Sequence, residues 1–221
     1  MSRVLPILFN TDMVQAILDE RKTVTRRLIK PQPNSRLSYL FAGYGCGKWS
    51  YPSKCAAAIW GADYQLPDDL TDDEKEMLWT PPFHTDDILY VRETWQYIDF
   101  AGENNGYVYK TSENGETWET ESENWKWYPS IHMPKEAARI FLKVKDVRVE
   151  RLQEITSEQI EREGVETEYP HVLNGVEKRY AFSWLWNSTI KKSDIDRYGW
   201  DADPWVWVIE FECCEKPEVR E

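Results

Sequence analysis

The sequence predicts a single α+β domain over residues 1–221, built on a mostly antiparallel β-barrel with short helices and long inserted loops. Three segments alternate their side chains at the period of two that strands require, namely 88–92, 139–149 and 205–212. Two further extended segments flank Asn114-Gly115, a dipeptide that favours a hairpin turn. Strands joined by hairpins indicate an antiparallel sheet, because parallel strands need long crossover connections.

The first part of the chain is predicted to form a strand, a helix and a second strand. Val4–Phe9 is apolar and predicts the first strand, with Pro6 confining it to a sheet edge. Residues 11–20 predict a helix that Asn10 or Thr11 caps, because apolar residues recur four positions apart on one face. The β-branched run that follows, residues 23–25, predicts that the chain becomes extended.

A second capped helix is the clearest local signal in the chain. Thr156 is followed three positions later by Gln159, which is the spacing of a capping box. Gly164 is suited to the left-handed position that ends a helix, so the helix covers residues 157–163.

The other predicted elements lie in the second half of the chain or interrupt the barrel. Residues 139–149 predict one long strand with a bulge, 182–186 a helix, and 205–212 a strand buried on one face only. Residues 31–86 are punctuated by proline and glycine and are interpreted as a long connection added to the barrel, and residues 99–129, which contain the Asn114-Gly115 hairpin, as a second insertion.

Charge argues against broad contact with nucleic acid. The formal net charge is −12, and residues 63–77 and 99–129 contribute −6 and −5 of it. A polyanion binds through many neutralised phosphates, so no extended nucleic-acid footprint is expected. Residues 21–30 are locally basic, which is compatible with a pocket for one small ligand.

Cysteine usage and hydropathy favour a cytoplasmic protein without a membrane segment. The four cysteines lack the CxxC spacing of metal sites, and adjacent Cys213 and Cys214 are poorly placed for a disulfide. The apolar start of the chain ends at Asn10 without a cleavage site for secretion. No metal or cofactor is expected, and the pattern leaves the oligomeric state open.

The segment Asp19–Arg27 is the strongest candidate for a functional motif. It places a lysine, two threonines and two arginines within six residues at the end of a helix, at positions 22 to 27. Such a run is more commonly a solvated turn than a site. Lys22 and Thr25 lie three residues apart, so they converge only if the chain bends at Lys22-Thr23.

Residues 17–27 resemble the signature of the ASCH superfamily, small β-barrels related to the PUA fold, with Lys22, Thr25 and Arg27 at its characteristic positions. The segments around 88–95 and 152–164 resemble later parts of the same family. The family includes an N4-acetylcytidine amidohydrolase, and longer members are often encoded by phages. By this resemblance Lys22, Thr25 and Glu163 are the expected catalytic residues.

Five further residues are expected to bind substrate: Thr23, Arg27, Glu93, Trp95 and His132. An arginine donates hydrogen bonds to a base or a sugar, and a glutamate accepts them from an exocyclic amine. Pro129 and Pro134 fix the backbone around His132, which suits a pocket wall.

The expected function is hydrolysis of the exocyclic amide of a modified nucleoside, the ligand being that nucleoside or a single nucleotide of RNA. A neutral lysine beside a threonine hydroxyl can take its proton, and Glu163 then holds the lysine, shuttles a proton or activates water. A non-catalytic module that binds RNA or a modified base is the alternative, and a ribonuclease is a third. Without the resemblance, Glu163 and Lys22 would be an ordinary ion pair.

Overall fold

The computed structural model describes residues 3–30, 32, 81–98, 106–112, 125–166 and 176–217. Within these ranges the chain forms a five-stranded sheet and a separate two-stranded sheet. The strands in chain order are β1 Val4–Leu8, β2 Val24–Leu28, β3 Ile88–Arg92, β4 Trp95–Ile98, β5 Gly106–Tyr109, β6 Phe141–Arg151 and β7 Trp205–Cys214. The helices are α1 Thr11–Leu18, α2 Ser157–Arg162, α3 Val176–Thr189 and α4 Ile195–Tyr198.

The larger sheet is mixed but mainly antiparallel, which agrees with the α+β class predicted from the sequence. Its strand order is β1-β3-β6-β7-β2, in which only the β1–β3 pair is parallel. Pro6 lies on an edge strand, as its missing N–H requires. Among the described residues no strand pairing joins the outer strands β1 and β2, so the backbone does not close this sheet into a barrel.

Local sequence signals fix the helices near the site. Asn10 caps α1 by accepting a hydrogen bond from the backbone N–H of Met13 at 2.8 Å. Thr156 and Gln159 form the capping box of α2 in both directions. The bulge expected in the long strand is present, because the β6–β7 register shifts between Val144 and Asp146. The helix expected around residues 182–186 belongs to α3.

The five-stranded sheet is covered on both faces. One core packs α1 against it through residues such as Val14, Ile17 and Phe211. A second core packs α2 and α3 against the opposite face through Ile160 and Phe182. The expectation that residues 205–212 are buried on one face only is therefore wrong for the first half of the strand. Residues 205–209 are all buried, because each face of β7 has its own apolar cover.

The small sheet holds a third cluster. β4 and β5 pair in antiparallel register, and Trp95 and Tyr109 pack toward Met133 and Phe141. The hairpin expected at Asn114-Gly115 lies outside the described residues, as does most of the predicted insertion 31–86. No helix in the described ranges is long and apolar enough to cross a lipid bilayer.

Candidate active site

The backbone turns sharply at the end of α1, just before Lys22. Glu20 adopts the left-handed conformation with φ 60°. Its N–H donates to Ile17 at 3.0 Å, and the N–H of Arg21 donates to Ala16 at 2.9 Å. These two bonds form a Schellman motif, in which a glycine is the more usual residue. The helix cap thus bends the chain at Glu20, before Lys22, and not at Lys22-Thr23 where the sequence predicted the bend.

The end of α2 closes onto this turn. Gly164 has φ +79°, and a β-carbon added there would lie 2.6 Å from Cβ of Ala16 and 3.0 Å from Cβ of Lys22. Only a residue without a side chain permits this approach. The N–H of Thr23 also donates to the carbonyl of Arg162 at 2.8 Å. The carboxyl ends of both helices therefore meet around Lys22.

Lys22 and Glu163 form a buried pair, although 141 residues separate them. The ammonium of Lys22 donates to Oε2 of Glu163, to the carbonyl oxygen of Glu163 and to the carbonyl oxygen of Val24, each at 2.8 Å. The Lys22 side chain has no exposed surface, and that of Glu163 is 5% exposed. The contact between these two expected site residues is thus present, and their catalytic roles stay predictions.

Burial and neighbouring charges shift the pKa of Lys22 in opposite directions. Burial is the largest effect and lowers the pKa of Lys22, while the Glu163 carboxylate raises it. The positive charges of Arg27 and Arg26 lower it further, and the net pKa is below the ordinary lysine value. Three oxygens nevertheless accept from the nitrogen, and this stabilises the ammonium form. The site therefore holds a lysine whose proton is bound less tightly than usual.

Arg26 shares Glu163 with Lys22, and the sequence analysis did not single it out. Its Nη1 donates to Oε1 of Glu163 at 3.1 Å. Its Nη2 donates to Oε2 of Glu150 at 2.9 Å and to Oε1 of Gln159 at 3.0 Å. Strand alternation puts Arg26 on the same face as Val24, but only the structure shows that this face packs beneath α2.

Thr25 and Arg27 lie on the opposite face of β2. Thr25 is buried, and its hydroxyl makes no hydrogen bond to Lys22 or Glu163 in the described part of the chain. Arg27 donates to the carbonyl of Leu8 at 2.8 Å and stacks over Phe9, whose ring centre is 5.2 Å away. The nitrogen of Lys22 lies 5.6 Å from the same ring centre. Phe9 thus connects Lys22 with Arg27.

The other expected binding residues fall into two places. Thr23 is beside Lys22, but its hydroxyl accepts from Nε of Arg162 at 3.2 Å and so serves the packing of α2. Glu93, Trp95 and His132 lie beyond the end of β3. The connection between the two places is a hydrogen bond at 3.3 Å from the N–H of Phe9 to the carbonyl of residue 92.

Glu93 is itself a buried charge with its own partners. Its side chain is 1% exposed and accepts from Nε and Nη2 of Arg139 at 2.9 and 3.0 Å. The hydroxyl of Thr111 donates to it at 2.5 Å. Trp95 packs against Tyr128 with ring centres 5.4 Å apart, and His132 is exposed. All three residues lie apart from the Lys22–Glu163 pair.

A cleft of about 780 Å³ lies next to the pair but is not lined by it. Its walls come from α1, the segment 164–166 and α3, where Tyr180 and Trp184 are 73% and 69% exposed. Lys22, Thr25 and Glu163 are absent from its lining. The cleft and the buried charges are therefore in different places.

Comparisons leave this geometry without an identified relative. No protein-family model, no curated protein and no solved structure matched the chain. Among the described residues, no three histidine, cysteine, aspartate or glutamate side chains are grouped so as to hold a metal ion. Cys213 and Cys214 are both free thiols.

Proposed function

We propose that this chain is a hydrolase that cleaves the exocyclic amide of a modified nucleoside of the N4-acylcytidine type. The observation that carries the proposal is the buried contact at 2.8 Å between Lys22 and Glu163. Isolated charges are rarely buried without a partner, and perturbed lysines concentrate at functional sites. The resemblance of residues 17–27 to the ASCH motif supplies the substrate class, since the contact alone does not name one.

The fold is compatible with this proposal. We infer a PUA-like barrel in which side chains, and not a backbone ladder, bring the outer strands together. The hydrogen bond from Arg27 on β2 to Leu8 on β1 supports this, because these strands are at opposite edges of the sheet. The net charge of −12 favours a single nucleoside, or one nucleotide of RNA, over a long strand as the ligand. A reducing cytoplasm is the proposed location.

The reaction adds water across a carbon–nitrogen bond. An oxygen, from water or from the Thr25 hydroxyl, bonds to the acyl carbon; the bond to the exocyclic nitrogen breaks, and that nitrogen takes up a proton. Neutral Lys22 accepts the proton of the attacking hydroxyl and returns it to the leaving amine. If Thr25 attacks, water releases the acid from it in a second step. The two hydrogen bonds from Lys22 to Glu163 support the holding role among the three roles of that glutamate.

The decisive experiment is incubation of the purified chain with N4-acetylcytidine, free and within an RNA oligonucleotide, followed by chromatography of the products. Release of cytidine and acetate by the wild type, and none by Lys22→Met, supports the hydrolase. No release by the wild type from either substrate contradicts it. Thr189→Val is the matched control, because its hydroxyl donates to the carbonyl of Trp186 at 2.7 Å within α3 and does not belong to the candidate site.

A non-catalytic binding module is the second candidate, and one observation favours it. All three N–H bonds of the Lys22 ammonium go to acceptors of the protein itself, which is the arrangement of a structural ion pair. Binding of N4-acetylcytidine measured by calorimetry, without any release of acetate, would identify this function.

A further inference from the structure

Arg26 holds both ends of the short helix that carries Glu163. Gln159, whose Oε1 accepts from Arg26, belongs to the capping box at the start of α2 and also accepts from the N–H of Thr156 at 3.0 Å. Glu163, which accepts from the other terminal nitrogen of Arg26, is the C-cap of the same helix. The Arg26 side chain is 1% exposed. A planar guanidinium reaches these three acceptors from two separate terminal nitrogens, whereas a lysine has only one nitrogen from which to donate.

Arg26 also ends a chain of ion pairs that leads away from the site. On its far side, Glu150 accepts from Nε of Arg148 at 2.6 Å. Arg148 then binds Glu210 at 2.6 Å and Asp146 at 3.3 Å. Arg26 and Arg148 are both opposite Val208 in the sheet, one on each side of it. Only Arg26 touches Glu163, so the two arginines form a natural comparison.

We propose that Arg26 is a positioning residue of the candidate site, which fixes one oxygen of Glu163 so that the other faces Lys22 and whose permanent charge favours the neutral amine of Lys22. The second part, that the Arg26 charge favours the neutral amine, rests on the proposed function, because only a hydrolase needs a neutral Lys22. The first part is a statement about the ion pair and holds for either function. Glu150 tunes the effect by neutralising part of the Arg26 charge.

The charges that face Lys22 come from two elements. Glu163 approaches from the end of α2, and Arg26 and Arg27 approach from β2. The neighbouring side chains of Ala16 in α1 and of Phe9, just after β1, carry no charge. Arg21 is turned outward, where it pairs with Asp19 and Glu166. Arg26 is therefore one of only a few charges able to change the protonation of Lys22 among the described residues.

The test is a titration of Lys22 itself, which needs no substrate. Lysine labelled with ¹³C and ¹⁵N is followed by NMR between about pH 6 and 11, a range that spans the ordinary lysine pKa, and Lys22→Met assigns the signal. Four variants are compared with the wild type: Arg26→Gln, Arg26→Lys, Glu150→Gln and Arg148→Gln. Arg26→Gln removes a positive neighbour and leaves the charge of the Glu163 carboxylate to Lys22 alone, so the pKa of Lys22 rises. Glu150→Gln leaves the Arg26 charge less neutralised, so the pKa falls.

Two variants are controls with known expectations. Arg26→Lys keeps the charge without the three contacts of Arg26, so its titration lies between those of the wild type and Arg26→Gln. Arg148→Gln removes a comparable arginine that does not touch Glu163 and leaves the titration nearly unchanged. Equal shifts in Arg26→Gln and Arg148→Gln, or no shift in either Arg26→Gln or Glu150→Gln, would overturn the proposal. Should Arg26→Gln not fold, the Glu150→Gln shift decides, since that variant keeps every arginine paired.

Turnover provides the second readout. If the wild type hydrolyses N4-acetylcytidine, the rise of kcat with pH moves to higher pH in Arg26→Gln and to lower pH in Glu150→Gln. Below the transition, kcat falls about tenfold for each unit by which the pKa of Lys22 rises. An equal loss at every pH, without displacement of the profile, would show a merely structural role. If the wild type is inactive, the proposed hydrolase fails while the titration still tests Arg26.

Discussion

The ammonium of Lys22 binds Glu163 twice, at the carboxylate and at the backbone carbonyl, with both distances 2.8 Å. The double contact is possible because Glu163 is the C-cap of α2, where its carbonyl has no partner within the helix. Lys22 thus satisfies a helix end and a buried carboxylate together. A single substitution in the pair leaves the other charge buried.

Thermodynamic coupling between these two residues is the first prediction. Lys22→Met and Glu163→Gln each destabilise the fold, by about 3–5 kcal/mol, since each breaks a buried ion pair. The double variant loses less than the sum of the two, with an interaction free energy of about 0.5–3 kcal/mol. Urea unfolding of the four proteins measures it. Additive losses would show that the contact contributes nothing specific.

The pair Lys178–Glu161 is the control for that cycle. It joins α3 to α2 with the Glu161 side chain 59% exposed. Exposed pairs contribute little, so the corresponding interaction free energy should remain below about 1 kcal/mol.

Local signals in the sequence predicted much of this fold, because the relevant physics is local. A cap such as Asn10 or Thr156 acts within one turn of its helix, and the edge position of Pro6 follows from one missing donor. The burial of Val206 and Val208 on the second face of β7 was not predicted. That face is covered by α3, and alternation along a strand does not show what packs upon it.

The candidate site was predictable only in part for the same reason. Lys22 and Glu163 were paired by the family resemblance, since nothing in local propensity joins residues 141 positions apart. Arg26 was missed because its partner Glu150 lies on another strand, and the sequence carries no sign of the register between them. Charged residues on a strand give no information on burial until their partners are known.

The hydroxyl of Thr25 provides the second prediction. Thr25→Val keeps the shape of the side chain and replaces only the hydroxyl by a methyl group, so the free energy of unfolding should change by less than about 1 kcal/mol. Under the proposed hydrolase, kcat on N4-acetylcytidine should fall at least about 100-fold, the scale of a lost catalytic group. Thr189→Val, at the end of α3, should retain turnover. Full activity of Thr25→Val would remove this residue from the mechanism.

Acid stability provides the third prediction, at Asp87. Burial would raise the pKa of Asp87, but hydrogen bonds from the Arg3 side chain and the backbone N–H groups of His84 and Arg3 lower it below the ordinary value of 3.8. A carboxylate with a lowered pKa stabilises the fold above its ordinary pKa, and this stabilisation is lost as the pH falls through the folded-state value. Asp87→Asn should therefore cost about 1–3 kcal/mol near neutral pH.

The measurement is chemical unfolding of the wild type and Asp87→Asn at several pH values. The difference in unfolding free energy should shrink below about pH 3.8, because the Asp87 carboxylate takes up a proton first in the unfolded chain and then, at lower pH, in the folded protein. Asp86→Asn is the neighbouring control, since Asp86 pairs with Lys143 through side chains that are 68% and 41% exposed. A difference that stays constant from neutral to acidic pH would contradict the assigned role of Asp87.

Gly164 provides the last prediction, because it controls how closely the two helix ends meet. Gly164→Ala places a non-glycine residue at φ +79° and a β-carbon 2.6 Å from that of Ala16. The left-handed conformation costs about 1–2 kcal/mol and the overlap about 1–3 kcal/mol more. Lys22, whose Cβ would be 3.0 Å away, is displaced from Glu163, so any turnover falls together with stability.

Two further variants separate the causes of that loss. Gly106→Ala is the matched control: its added β-carbon meets nothing within 4 Å, and its stability should change by less than about 1 kcal/mol. Ala16→Gly combined with Gly164→Ala removes the overlap with the β-carbon of residue 16 but not the backbone strain at residue 164. The double variant should therefore be less destabilised than the sum of the two single variants, as measured by urea unfolding. Strict additivity would mean that the contact between Ala16 and Gly164 does not hold the two helix ends together.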